Sequence, residues 1–311
     1  MKNKKTIMFF SSLLILIFHF WINIYERTNS LYEIETFIRK ICFIGVDIFF
    51  FVSSYSISKT NIVDYKKFIL TRLKKIYIPF IIFSIIASIY FKWDLKTTIL
   101  TITGINLFIK GGGSFLWFIP AILIIYIVLP IYIKIYDKHK RITTIITIVL
   151  WLLFTVLISQ YTTYNNIFIL TNRIPIILIG FYISKYKIID KLSKIKYMIL
   201  MLILIILGLF LLYNFKNNNI SFINDIYYLQ AIPLTLGIVL LIDLIPTNKI
   251  INLLGSITLE LYGVQMIFGY KITSVILNLI KNHLLTNIIS ILIIILMAIS
   301  THYIFKFINR K

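Results

Sequence analysis

Four ionisable side chains stand inside otherwise apolar runs of this sequence: His19, Asp47, Arg173 and Glu260. A histidine exchanges a proton near neutral pH, a carboxylate can orient it, and a guanidinium can hold developing negative charge. Placing such a group within a membrane span costs roughly 2.5 to 3.5 kcal/mol on insertion scales, so those that persist usually face the protein interior. Each also has a plainer use. A lone helical histidine commonly packs, Asp47 and Arg173 suit a structural ion pair, and Glu260 suits a bond to a neighbouring helix.

Spacing sorts these residues onto helix faces, because positions i, i+4, i+7 and i+11 share one side. Ser12, His19 and Asn23 form one such stripe; Asp47, Ser54 and Ser58 a second; Arg173, Gly180 and Ser184 a third; Ser256, Glu260 and Gly263 a fourth. Four polar or small-residue faces are what a bundle needs to line a polar interior while leaving its lipid side apolar. His19 lies ~20 Å beyond Thr6, while Asp47 and Arg173 lie ~9 Å into their spans from the other end, so the three can meet at one level.

The elements that must carry these faces are transmembrane helices. The chain is 59% hydrophobic and 14% charged, and its apolar runs recur throughout, which is bilayer composition. The reading is an all-α integral membrane bundle of about ten spans, since lipid admits only helices or closed barrels and a helix needs about 20 apolar residues to cross. The spans are expected near 6–25, 41–57, 76–91, 115–133, 142–159, 167–184, 197–213, 228–245, 255–271 and 286–305. The stretch from Thr97 to Ile109 is too short to cross and reads as interfacial or re-entrant. No connection is long enough to fold separately, so residues 1–311 form a single transmembrane domain.

Charge sets the expected orientation, because cytoplasmic loops carry an excess of Lys and Arg. With the N-terminus inside, the cytoplasmic segments hold Lys2 to Lys5, Lys59 to Lys75, Lys134 to Arg141, Lys185 to Lys196, Lys249 and Lys306 to Lys311. The opposite loops hold fewer: Arg27, Arg39, Lys40, Lys92, Lys96, Lys110, Lys216, Lys271 and Lys281. Both termini are therefore placed in the cytoplasm. The net charge of +21 is then a topology signal with affinity for anionic membrane lipids, and it requires no nucleic acid. Cys42 is the sole cysteine, which excludes an internal disulfide and a cysteine-based metal site. No metal ligand set is expected. Gly111, Gly112 and Gly113 read as a flexible entry into the fourth span, and Trp117 with the tyrosines near span ends as an interfacial belt.

The segment Gly45-Val46-Asp47-Ile48-Phe49-Phe50-Phe51-Val52-Ser53-Ser54-Tyr55 is followed in order by Arg72-Leu73-Lys74-Lys75-Ile76-Tyr77-Ile78-Pro79, Leu116-Trp117-Phe118, Arg173-Ile174-Pro175 with Gly180, and Leu254-Gly255-Ser256 leading to Glu260 and Tyr262. With His19 late in the first helix, this order resembles the family-3 bacterial membrane acyltransferases, over most of the chain. Two positions depart from that pattern: Met8 stands where an arginine usually precedes the histidine by three turns, and Gln265 where a histidine often follows. The first departure bears on donor binding, the second on acceptor choice.

The resemblance implies a multi-pass protein of the bacterial plasma membrane that moves an acyl group, by preference acetyl, from cytoplasmic acyl-CoA to a hydroxyl of a surface sugar or polysaccharide. It implies no bound cofactor, with acetyl-CoA as donor substrate. His19 would be the general base, with Asp47 or Glu260 orienting it. Arg72, Lys74 and Lys75 would bind the phosphates of coenzyme A, and Trp117, Arg173 and Tyr262 the acceptor. The competing expectation is a glycan or lipid-linked sugar flippase, although inverted repeats and broken helices are not evident. A partner within a polysaccharide synthesis complex would also suit the loss of the first-helix arginine.

Overall fold

The computed structural model describes residues 1–109, 116–160, 165–214 and 227–308, and every regular element among them is helical. Gly111 to Gly113, with Lys110, Lys216, Arg310 and Lys311, lie outside the described residues. Eight helical stretches are long and apolar enough to cross a bilayer. The two expected spans left over coincide with α1 (Lys4–Phe20) and α12 (Tyr227–Asp243), which are helices of 17 residues each.

By Cα proximity the chain divides into two compact units. The first comprises Met1, Asp47–Ile78 and Trp93–Leu241, and the second Lys2–Val46, Pro79–Lys92 and Ile242–Lys311.

Within the first unit, α3 (Gly45–Lys59) runs beside α10 (Ile174–Lys185). The two polar stripes read from spacing meet there at Asp47 and Ser54, while Ser58 bonds the Ser54 carbonyl of its own helix. Asp47 pairs with Arg173, Ser54 abuts Gly180, and the Ser184 hydroxyl donates to the Tyr55 carbonyl at 2.8 Å. Small residues let these backbones approach, and hydroxyls that bond main-chain carbonyls remove the cost of their burial. A second seam joins α10 to α7 (Phe118–Lys138), where Tyr132 meets Tyr182 at 3.1 Å and Tyr136 meets Tyr186 at 2.6 Å. A Cβ on Gly208 of α11 (Lys194–Asn214) would lie 2.7 Å from Leu234, and one on Gly237 of α12 2.7 Å from Ile205, so these helices interlock reciprocally. Pro130 inside α7 cannot donate its backbone N–H; one turn away, Tyr65 of α4 (Tyr65–Phe91) donates its hydroxyl to the Ile127 carbonyl at 2.7 Å.

The stretch expected to be re-entrant forms two short helices, α5 (Leu95–Ile102) and α6 (Asn106–Ile109). Between α7 and the sixth expected span lies α8 (Lys140–Ser159), whose exposed row of Ile, Leu and Val suits a lipid-facing helix. The sixth span is not continuous. It breaks into α9 (Asn165–Thr171) and α10, with Asn172 and Arg173 in the turn. This overturns the expectation that no helix is broken; Pro175 in the first turn of α10, where a missing N–H costs nothing, marks the restart.

The second unit is built on α1, α14 (Thr258–Ile280) and α15 (His283–Ile308), joined by α2 (Ser30–Ile41) and α13 (Lys249–Leu254). Two expectations fail here. α1 ends at Phe20, where Trp21 turns extended, so Asn23 leaves the stripe it was to share with Ser12 and His19. Ser256 lies exposed in the turn before α14 and does not share a helix with Glu260 and Gly263.

Candidate active site

Arg173 owes its position to the break in the sixth span. Helix ends leave carbonyls without intrahelical partners, and the guanidinium turns back to donate from Nη1 to the Ile169 carbonyl at 2.8 Å. Its Nη2 donates to the Tyr227 hydroxyl at 2.9 Å, and Nε faces Asp47 Oδ1 at 3.5 Å. The Tyr227 hydroxyl in turn donates to the other carboxylate oxygen of Asp47. The guanidinium carbon lies 4.7 Å from the Tyr227 ring centre and 5.3 Å from that of Trp117, within cation–π range.

Asp47, Arg173 and Tyr227 are almost wholly enclosed, at 1%, 1% and 2% exposure, whereas Trp117 is half-buried. A buried ion pair costs less when its other donors and acceptors are bonded; Tyr227 bonds one oxygen of Asp47 and one nitrogen of Arg173, while Asp47 Oδ1 and Arg173 Nε face each other without a hydrogen bond. The Asn172 amide, also buried, has neither its oxygen nor its nitrogen hydrogen-bonded. Sequence reasoning paired Asp47 with Arg173 but missed Tyr227, which looked like one more interfacial tyrosine.

His19 belongs to the second unit. It stands in the last turn of α1, exposed, with its ring edge-on to Phe18 at 5.1 Å. The strap that follows it is held from two sides. Glu35 of α2 accepts from Trp21 Nε1 at 2.8 Å and from the backbone N–H groups of Ile24 and Tyr25 at 2.8 and 3.1 Å. Asn287 of α15 brackets Ile22, accepting from its N–H at 2.9 Å and donating to its carbonyl at 2.7 Å. His283 meets the Asn23 carbonyl at 2.6 Å, and the Asn23 amide donates to Thr36 at 2.8 Å. These anchors carry no motif and were not legible in advance.

Glu260, buried in the first turn of α14, pairs with Nδ1 of His302 on α15 at 2.7 Å. His302 lies inside the expected tenth span, so the same search for ionisable residues in apolar runs should have found it. Tyr262 is buried two positions on.

The basic stretch entering the third span is helical from Tyr65 onward. Spacing of three therefore puts Arg72 and Lys75 on one face and Lys74 off it. Arg72 lies over the rings of Phe68 and Tyr126, at 5.3 and 5.1 Å from their centres. Arg72, Lys75 and Lys67 line a cavity of about 510 Å³ with Asn61 and Thr71; Lys74 is exposed and outside it.

Residues 9–306 match the acyltransferase domain that defines acyltransferase family 3. No curated protein and no solved structure matches the chain. The match spans nearly the whole length of a chain built from apolar membrane-crossing helices. This multi-pass membrane protein therefore belongs to acyltransferase family 3 and is an acyltransferase that transfers groups other than aminoacyl groups.

Proposed function

We propose that the protein transfers an acyl group, by preference acetyl, from cytoplasmic acyl-CoA to a hydroxyl of a surface or exopolysaccharide sugar, acting as one functional domain in a bacterial plasma membrane. Ten spans with both termini cytoplasmic suit the distribution of Lys and Arg. The carrying observation is His19: a proton acceptor left exposed in the last turn of a helix whose following strap is anchored from α2 and α15.

In this reading the sugar oxygen attacks the thioester carbonyl carbon while His19 takes the hydroxyl proton. The carbon–sulfur bond breaks, the new ester stays with the sugar, and coenzyme A leaves as a thiolate that recovers a proton. Asp47 and Glu260 serve as positioning carboxylates, one through Arg173 and Tyr227 and the other through His302. Arg72 and Lys75, with Lys67, offer charge-assisted bonds to the donor phosphates from one cavity, and Lys74 adds long-range attraction. Trp117, its ring held by Arg173, is the platform for a pyranose face, and Tyr262 is assigned to the acceptor as well.

The broken sixth span also suits a carrier that moves a glycan without chemistry, since discontinuous helices mark many transport sites. Inverted membrane vesicles separate the two. Labelled acetyl-CoA is supplied outside and a mixed surface-glycan fraction is trapped within, for wild type and His19→Ala at equal protein levels. Label in the glycan with wild type alone is the expected result. No label with correctly inserted wild type, together with glycan movement that survives His19→Ala, would favour the carrier.

A further inference from the structure

A second cavity of the first unit, about 720 Å³, shares Thr60, Asn61, Ile62 and Val63 with the basic one but is otherwise lined chiefly from α3, α7 and α10. Its polar wall includes Ser58, Thr60, Asn61 and Lys134. Lys185 also lines it, yet its charge is met by Asp137 at 2.5 Å. Lys134 is exposed and pairs with no carboxylate among the described residues. The site thus carries one uncompensated positive charge and an amide donor beside it.

The rest of the lining is largely apolar and includes Ile62, Pro130 and Ile131. It continues along α7 into the exposed side chains of Ile127, Val128 and Ile135. On a membrane-crossing helix such a face meets lipid tails. Headgroup chemistry and tail chemistry therefore adjoin at one end of α7.

We propose that this cavity binds the phosphodiester of an anionic glycerophospholipid, with Lys134 and Asn61 on the phosphate and the acyl chains against the isoleucine face of α7. A soluble phosphate would leave the apolar wall wet. A zwitterionic headgroup would bring a second cation to a site whose carboxylate, Asp137, is already taken. Basic pockets at the cytoplasmic edge of membrane helices bind headgroups in this manner.

The test is titration of the full-length protein, purified in a neutral maltoside detergent, with phosphatidylglycerol, phosphatidylcholine, water-soluble glycerophosphoglycerol or coenzyme A, bound lipid being counted by native mass spectrometry. Phosphatidylglycerol is expected to bind most tightly, and Lys134→Gln to weaken it about fivefold, the factor that one lysine's attraction to an anionic headgroup represents. Lys138→Gln, on the same helix end but outside the cavity, is expected to leave binding unchanged. Equal weakening by Lys138→Gln would reduce the effect to general surface charge and overturn the site. Glycerophosphoglycerol binding as tightly as the lipid, or displacement of the lipid by coenzyme A, would overturn it in favour of a soluble ligand. Matching unfolding temperatures of the lipid-free variants establish that each is folded.

Discussion

Gly180 of α10 presses on Ser54 of α3 so closely that a Cβ at position 180 would overlap the serine hydroxyl and stand 2.7 Å from the Phe51 carbonyl oxygen. The backbone oxygen cannot turn aside as a flexible side chain would. Gly180→Ala is expected to destabilise the first unit by about 1 to 3 kcal/mol, the usual cost of overpacking. Thermal unfolding in detergent reads the loss, and Ser54→Ala on top of Gly180→Ala should recover only the part due to the hydroxyl.

The Asp47–Arg173 pair makes a sharper demand, because each charge is buried and answered chiefly by the other and Tyr227. Arg173→Ala is expected to cost about 3 to 5 kcal/mol by leaving an unpaired carboxylate in the interior. The double variant Asp47→Asn with Arg173→Met should be more stable than Arg173→Ala alone in chemical denaturation. Tyr227→Phe should lie between wild type and Arg173→Ala, since it removes one donor from Asp47 and one acceptor from Arg173.

Glu35 holds the strap after His19 without itself reaching the reacting atoms. Glu35→Ala is expected to raise amide hydrogen exchange across residues 21–25 and to lower kcat more than it changes KM for the donor. Glu35→Gln keeps an acceptor and should restore part of both. Unchanged exchange in Glu35→Ala would show that Asn287 and His283 suffice to hold the strap.

Donor recognition divides the three cations expected to share it. Arg72→Ala and Lys75→Ala are each expected to raise KM for acyl-CoA by roughly tenfold or more, the scale of one lost charge-assisted hydrogen bond of about 1.5 to 3 kcal/mol. Lys74→Ala should change KM by a few-fold at most, because it faces away from the cavity. Steady-state kinetics at fixed acceptor distinguishes them, and equal effects at all three positions would assign the stretch to general membrane attraction.

The sequence by itself determined that this is a helical membrane protein, because the hydrophobic effect in a bilayer is read residue by residue along the chain. It also determined that Asp47, Ser54 and Ser58 would share one helix face, since helical periodicity is local. Tertiary structure decided which stripe met which. It also brought Tyr227 between Asp47 and Arg173, set His302 against Glu260 and anchored the strap after His19 to Glu35 and Asn287. Those partners lie from 10 to 265 positions apart in sequence, and no periodicity encodes such pairings. The helix ends at Phe20 and Thr171 belong to the same class. Each follows a locally apolar run that could have continued as helix; beyond the first, Asn287 brackets Ile22, and at the second Trp151 donates to the Thr171 carbonyl and Arg173 to that of Ile169.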